Sequence, residues 1–334
     1  MDNNIKIIPF GGVRENGKNM YAVEIEDQIF ILDTGLKYPE NELMGIDVVI
    51  PDWEYLREHK DKIVGVFLTH GHADSIGALP YFLMDFNVPV FGSEMTIALA
   101  KLAVKSHKEV KKFNDFHVVD ASTAIDFNDV TVSFFQTTHT IPETLGVVLE
   151  TRAGNIVYTG DFKFNQTAKK GYQTDLARLA EIGSQGVLAL LSDSAGAGIT
   201  GASAREQDIG DYIKETFKYQ NGRIIVASVA SNIMRVQQII NAAVAVGRKI
   251  VLSGKDIEQI IDTAMSLGKL HLPDDLFISR KEAEKLEPNQ VVILETGKMG
   301  EPIKSLQQIA NGDNPNLQLT DTDLVFVSTN PSYA

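Results

Sequence analysis

Along the chain, the spacing of apolar and polar residues changes character once. Up to about Ser192 it gives short apolar runs cut by turn residues, which predicts strands over 5–9, 21–25, 29–33, 64–68, 130–137, 146–151, 155–159 and 187–191. Apolar spacing of three to four residues predicts helices only over 76–83 and 94–105 in this part. The small-residue stretch Ser194-Ala195-Gly196-Ala197-Gly198-Ile199-Thr200-Gly201-Ala202-Ser203 interrupts the pattern and predicts a domain boundary. Beyond it helix and strand alternate: helices over 205–218, 232–246, 255–267 and 303–310, strands over 223–227, 249–252, 291–294 and 324–327. Such alternation predicts a parallel sheet flanked by helices. Two domains follow, 1–200 and 201–334, in an α/β chain. The last residues, Ser328-Thr329-Asn330-Pro331-Ser332-Tyr333-Ala334, come directly after a strand, and the expectation is that the chain is truncated there.

Composition narrows the chemistry. With 44% apolar residues in 334, the chain can bury sizeable cores. No apolar run approaches a membrane span, and Met1-Asp2-Asn3-Asn4 does not begin a signal peptide, so the expected location is the cytoplasm with no membrane partner. The absence of Cys removes disulfides and thiolate metal sites, leaving His, Asp and Glu as ligands. A net charge of −13 argues against a broad nucleic-acid-binding surface, although a basic groove can sit on an acidic body.

One segment stands apart: Leu68-Thr69-His70-Gly71-His72-Ala73-Asp74-Ser75 follows an apolar strand. On an extended backbone His70, His72 and Asp74 project to one side, and nitrogen with oxygen ligands at this spacing suits zinc or manganese. His139 and Asp161 each follow another strand and can complete the set, a shared carboxylate suiting two-metal hydrolysis. Taken singly, His139 reads more readily as a hydrogen-bonded structural residue than as a ligand, and Asp161, Asp33 and Asp193 can be read as turn carboxylates. The functional reading of Asp33 and Asp193 is a place behind the ligands, orienting them. His59, His107, His117 and His271 lack ligand spacing and are expected at the surface. Lys163, Lys169 and Lys170 beside Asp161 can serve as a rim for a polyanion or be a solvated loop.

The segment His70-Gly71-His72-Ala73-Asp74-Ser75 resembles the metallo-β-lactamase signature His-x-His-x-Asp-His, with Ser75 in place of the last His. Ile31-Leu32-Asp33-Thr34-Gly35, His139-Thr140-Ile141-Pro142 and Thr159-Gly160-Asp161-Phe162-Lys163 resemble its flanking motifs. Gly11-Gly12-Val13-Arg14-Glu15-Asn16-Gly17-Lys18-Asn19-Met20, Gly45-Ile46-Asp47-Val48-Val49-Ile50-Pro51-Asp52 and Leu191-Ser192-Asp193-Ser194 are similar to the ribonuclease J family. Ala230-Ser231-Asn232-Ile233-Met234-Arg235 and Glu295-Thr296-Gly297-Lys298-Met299-Gly300-Glu301-Pro302 resemble that family's β-CASP domain.

The resemblance implies a four-layer αβ/βα metallo-β-lactamase domain interrupted by a β-CASP domain, and metal-dependent 5′-to-3′ exonuclease and endonuclease action on RNA held between them. It also implies that His70, His72, His139 and Asp161 hold one metal, that Asp74 and Asp161 help hold another, and that Ser231, Asn232 and Arg235 contact RNA. Ser75 is a poor substitute for an imidazole ligand. The chain also ends before the family's later His motifs, Met234 stands where a His is expected, and Lys298-Met299 replace a polar pair. Together these resemble a catalytically degenerate second paralogue, with at most one tightly bound zinc or manganese ion, or none. It is expected to form homo- or hetero-oligomers and to partner an active ribonuclease J. The rival readings are a fully competent metalloribonuclease and, against the β-CASP-like half, a small-molecule metallohydrolase.

Overall fold

The computed structural model describes residues 4–39, 45–165, 167–200, 205–254, 256–296, 302–314 and 317–328. Expectations resting on Gly201, Lys255, Lys298, Met299 and the residues from Thr329 onward lie outside the described residues. The chain forms two compact units, Met1–Ile199 and Thr200–Ala334.

In the first unit, β1 (Ile5–Gly11), β2 (Met20–Ile25), β3 (Gln28–Leu32), β4 (Ile63–Phe67), β5 (Val90–Gly92) and β6 (Phe116–Val118) make one sheet in that order. Its first two pairings are antiparallel and the rest parallel. β7 (Ala124–Phe127), β8 (Val130–Gln136), β9 (Leu145–Thr151), β10 (Gly154–Tyr158) and β11 (Val187–Leu191) make the second, with only the outermost β10–β11 pairing parallel. The sheets pack face to face through Phe30, Leu32, Phe67 and Phe91 from one and Val132, Phe134, Val147 and Ile156 from the other. The outer face of the second sheet carries Phe135, Val148 and Val157 against Leu179 and Ile182 of a helix.

The helices of this unit are α1 (Glu54–Glu58), α2 (Ala73–Ile76), α3 (Leu79–Asp85), α4 (Glu94–Lys105) and α5 (Leu176–Ser184). α4 matches the sequence expectation because its signals agree: Ser93 caps it by accepting from Thr96 N, Glu94 and Lys105 suit the dipole, and Ile97, Ala100 and Val104 share a buried face. With α4 against the β5–β6 end of the first sheet and α5 over the second, the layers run helix, sheet, sheet, helix, the expected four-layer arrangement. The helix expected over 76–83 is two helices instead, because the chain turns at Gly77 and Ala78. β5, β6 and β7 escape the sequence pattern because three or four residues are too few to show alternation. α5 was legible: Asp175 caps it, and Leu176, Leu179 and Ile182 have helical spacing.

The second unit contains α6 (Glu206–Tyr219), β12 (Ile224–Ala227), α7 (Ile233–Ala245), β13 (Lys249–Ser253), α8 (Ile257–Ser266), α9 (Arg280–Ala283), β14 (Val291–Glu295), α10 (Pro302–Ala310) and β15 (Leu324–Val327). Its sheet runs β13-β14-β12-β15 and is parallel throughout, as the helix–strand alternation predicts. Ile225, Val251 and Ile293 face Ile309 and Leu306 of α10. The strand period of two turns their neighbours Ile224 and Val226, also buried, to the opposite face.

Two local features of the first unit bear on stability. Glu24 on β2, 5% exposed, accepts from Tyr55 Oη at 2.6 Å, Lys6 Nζ at 3.1 Å and Lys62 Nζ at 3.2 Å. The tyrosine hydrogen bond and the two ammonium groups hold its carboxyl down to about 2 against the opposing effect of burial. The second feature is a saddle under α2 made by the loop after β3 together with Asn19, which precedes β2. Thr34 N donates to Ser75 O at 2.7 Å, Leu36 N to Ala73 O at 3.0 Å, and Asn19 N to Asp74 O at 2.9 Å. A Cβ on Gly35 would stand 1.5 Å from Asp74 O, so only glycine lets the loop approach this closely.

A depressed folded-state pKa stabilises above the unfolded value and loses that contribution as pH falls through the folded one. Stability supplied by Glu24 is therefore expected to fade from about pH 4.5 down to about pH 2. Urea midpoints across this range should show a shallower acid decline for Glu24→Gln; identical slopes would refute the assignment. Gly35→Ala should cost at least about 1–3 kcal/mol in denaturant unfolding, as forced overpacking does, and a variant as stable as the parent would contradict the saddle.

Candidate metal centre

The centre is assembled by loops at strand ends. β4 delivers Leu68, Thr69 and His70, while the end of β3 delivers Asp33, fully buried and with φ 58°, a left-handed conformation that Asp tolerates better than most residues. Asp33 accepts from Thr69 N at 2.8 Å, Thr69 Oγ1 at 2.8 Å and Tyr158 Oη at 2.9 Å. Burial lifts its carboxyl to about 7 in spite of those three donors. Thr69 Oγ1 also lies 3.0 Å from His70 Nδ1. Because its single proton goes to Asp33, the hydroxyl receives the Nδ1 proton and leaves a lone pair on His70 Nε2. Asp33 thus reaches the imidazole through Thr69 rather than directly.

Three imidazoles surround one small volume. The ring centroids of His70, His72 and His139 are 4.7–5.0 Å apart, and each pair of rings is close to perpendicular. One nitrogen from each ring falls within 4.8 Å of the others, and a second set at the same spacing consists of His70, Asp74 and Asp161. The two sets share His70, so Asp161 groups with Asp74 and His70 instead of joining all three histidines. The expected alternation of His70, His72 and Asp74 on extended backbone is also corrected. His72 precedes the first turn of α2, and Asp74, inside that turn, has its Oδ1 3.7 Å from His70 Nε2.

Electrostatics makes the volume receptive to a cation. Burial lowers all three histidines, His72 to about 4, so each is neutral at physiological pH. Burial raises Asp74 and Asp161, and the two carboxylates also feel the charge of Asp193. His70 Nε2 and Asp74 Oδ1 are buried without a hydrogen-bond partner. Two ligand atoms on one tetrahedral ion stand about 3.4 Å apart, close to the separation of these two. An oxygen-and-nitrogen donor set with unpartnered, inward lone pairs fits a divalent cation.

The remaining candidates divide clearly. Ser75, next to Asp74, is fully buried with its Oγ unpartnered and belongs to neither set. Asp193 adjoins the loop that bears Asp161: its Oδ2 is 3.5 Å from Phe162 N and its Oδ1 accepts from Ala195 N. Lys163 is half-buried, and its charge adds to the lowering of His139, whereas Lys169 and Lys170 are exposed. His59, His107, His117 and His271 join neither set, though His59 and His107 are half-buried rather than at the surface. In the second unit Asn232 caps α7 by accepting from Arg235 N. Arg235 is 7% exposed with Nη2 3.2 Å from Glu206 Oε2, while its Nε and Nη1 have no hydrogen-bond partner among the described residues. Ser231 and Asn232 are half-buried. Sequence reasoning missed Thr69 and Tyr158 as supports of Asp33 and Thr140 as the partner of His72; each sits within three residues of a candidate ligand, the one signal available.

Comparison with known proteins agrees with this architecture. The family model described as metallo-beta-lactamase superfamily matches residues 13–185, and that described as ribonuclease J, beta-CASP domain, matches 221–332. The chain is 56% identical over 331 residues to "Ribonuclease J 2" of Streptococcus pyogenes serotype M3, covering 99% of this chain and 60% of that protein. It is 43% identical over 328 residues to "Ribonuclease J 2" of Staphylococcus epidermidis, covering 98% and 59%. The chain therefore spans about three fifths of the length of these relatives. A crystal structure of a protein of unknown function from Enterococcus faecalis V583 superposes with a TM-score of 0.66 over 97% of this chain and 88% of that one at 14% identity, a likeness of fold. The chain belongs to the metallo-β-lactamase superfamily and, within it, to the ribonuclease J family, with a metallo-β-lactamase domain and a β-CASP domain.

Proposed function

We propose that this chain is the metallo-β-lactamase (1–200) and β-CASP (201–334) part of a ribonuclease J paralogue with weak or absent nuclease activity. In the cytoplasm it would serve as partner subunit to an active ribonuclease J in RNA maturation and decay. The observation that carries this reading is Ser75. It occupies the signature's last ligand position, fully buried beside Asp74, with a hydroxyl that binds nothing among the described residues. A neutral hydroxyl is a poor ligand for zinc or manganese, so one of two metal positions loses a donor while the other keeps its three imidazoles. His70, His72 and His139 would hold one ion, with Asp161 and Asp74 adjoining. A divalent ion there would polarise a phosphodiester and activate water. Around it, the Asp33–Thr69 pair orients His70.

Exposed apolar side chains support a role in assembly. On the outer strand β11, Leu188 is 52% and Leu190 61% exposed, which suits a surface covered by further protein. No helix among the described residues is long and apolar enough to cross a membrane. The competent-enzyme reading draws on a different observation, the convergence of five potential ligands in spite of Ser75.

Metal analysis and cleavage of a 5′-monophosphorylated RNA discriminate the two readings. The expected result for the full-length protein is at most one tightly held ion and slow cleavage, with Ser75→His gaining a second ion and faster cleavage, and Asp161→Ala in that background abolishing both. Two stoichiometric ions and rapid cleavage by the unmodified protein would establish the competent enzyme. For the partner role, the full-length protein mixed with an active ribonuclease J should elute as one complex in size-exclusion chromatography with light scattering; separate elution at micromolar concentration would sink it.

A further inference from the structure

We propose that Arg14, in the loop between β1 and β2, is a substrate-binding residue whose guanidinium takes a backbone phosphate of an RNA strand at the Asp161 side of the metal centre. The inference rests on the ribonuclease reading above and deepens it by naming a phosphate contact.

The loop is tied to the centre at its base. Lys18 N donates to Leu36 O, Asn19 N to Asp74 O and Gly35 N to Asn19 O, each at 2.9 Å. The side chain of Asn19 spans the remaining gap: its Nδ2 stands 3.5 Å from Asp161 Oδ1, and a Cβ on Gly12 would come within 2.7 Å of its Oδ1. Gly12 therefore lies against the amide that meets the Asp161 carboxylate. Arg14 is two residues further on, its Cα within about 8 Å of that of Gly12, so the loop carries it at the rim of the centre.

Arg14 is also the cation of this loop that nothing internal uses. Glu15 takes both neighbouring lysines, Lys18 Nζ at 3.2 Å and Lys37 Nζ at 3.7 Å. Arg14 is exposed and makes no ion pair or hydrogen bond among the described residues. Its backbone is nevertheless left-handed, with φ 60°, between Gly12 at 79° and Gly17 at 85°. Glycine or asparagine would adopt that conformation at little cost, whereas arginine does not. Asp33 offsets the same strain with three hydrogen bonds, but Arg14 has no contact that does so. Uncompensated outliers of this kind gather where a ligand is held. The planar fork of arginine matches two oxygens of a phosphate, and a chain of net charge −13 needs a local cation where a polyanion is to approach its buried carboxylates.

Binding of a 3′-fluorescein-labelled, 5′-monophosphorylated single-stranded RNA to the full-length protein can be followed by anisotropy over a range of salt concentrations. Unmodified protein, Arg14→Gly and Arg14→Lys are compared, with thermal melts alongside. Glycine relaxes the backbone and removes the guanidinium, so the melting temperature should hold or rise by up to about 4 °C. Affinity should nevertheless fall about tenfold, the worth of one charge-assisted hydrogen bond. The slope of log affinity against log salt should become shallower by about 0.7, one phosphate on a single strand. Lysine keeps the charge without the fork, so the slope should persist at reduced affinity. A merely structural Arg14 would lower melting and affinity together in the Arg14→Gly variant, and a solvated one would leave affinity and slope unchanged; either result overturns the proposal. Unmodified protein that binds no RNA would instead remove the ribonuclease reading, and this contact with it.

Discussion

A single buried carboxylate holds together the end of the first unit that bears the candidate metal ligands. Asp33 leaves β3 with a left-handed backbone, binds the backbone and side chain of Thr69 at the end of β4, and receives the hydroxyl of Tyr158 from β10 in the other sheet. Those bonds join both sheets where the loops diverge. They also make the strained φ tenable, since such conformations persist only when the surroundings overdetermine them. Gly160 belongs to the same arrangement: a Cβ there would come within 2.7 Å of Thr69, so the loop bearing Asp161 closes on the threonine only through glycine.

The cleft built on that junction is stable as a shape but electrostatically unbalanced. Burial keeps three imidazoles neutral and raises two carboxylates that stand close together, and His70 Nε2 and Asp74 Oδ1 are buried without a hydrogen-bond partner. Water-facing side chains would relax; these cannot, because the α2 turn is fixed by backbone hydrogen bonds to Thr34, Leu36 and Asn19. Such a volume is complementary to a small, strongly charged cation. Ser75 shows how local the loss is: the turn, its neighbours and its burial are intact, and only the chemistry of one side chain differs from the signature.

The second unit follows a different logic. Its parallel strands need both faces covered, and their near-continuous apolar runs, such as Ile224-Ile225-Val226-Ala227 and Val291-Val292-Ile293-Leu294, provide for that. Two buried arginines secure its ends. Arg248 donates to the carbonyls of Gly222, Val291 and Gln220 at the starts of the strands, and Arg235 ties α7 to α6 through Glu206. In the run Ser231-Asn232-Ile233-Met234-Arg235 the structure shows a helix cap and an ion pair.

The sequence by itself determined a great deal. Periodicity located every strand of the first unit except β5, β6 and β7, and it located the whole parallel sheet of the second, because apolar spacing records which face of an element is buried. Motif spacing brought forward His70, His72, Asp74, His139 and Asp161, since few other chemistries need imidazoles and carboxylates at strand ends in a chain without cysteine. Tertiary structure alone decided how those residues group, with His70 common to both sets and Asp74 turned inward by a helix instead of by strand alternation. It alone decided that Arg235 is buried beside Glu206 and that Thr69 and Thr140 stand against the rings of His70 and His72. The reason is physical: side-chain periodicity is a local property of the backbone, whereas burial, hydrogen-bond partnership and proton placement depend on groups up to more than a hundred residues apart, as Asp33 and Tyr158 are, and only the closed fold brings those into contact.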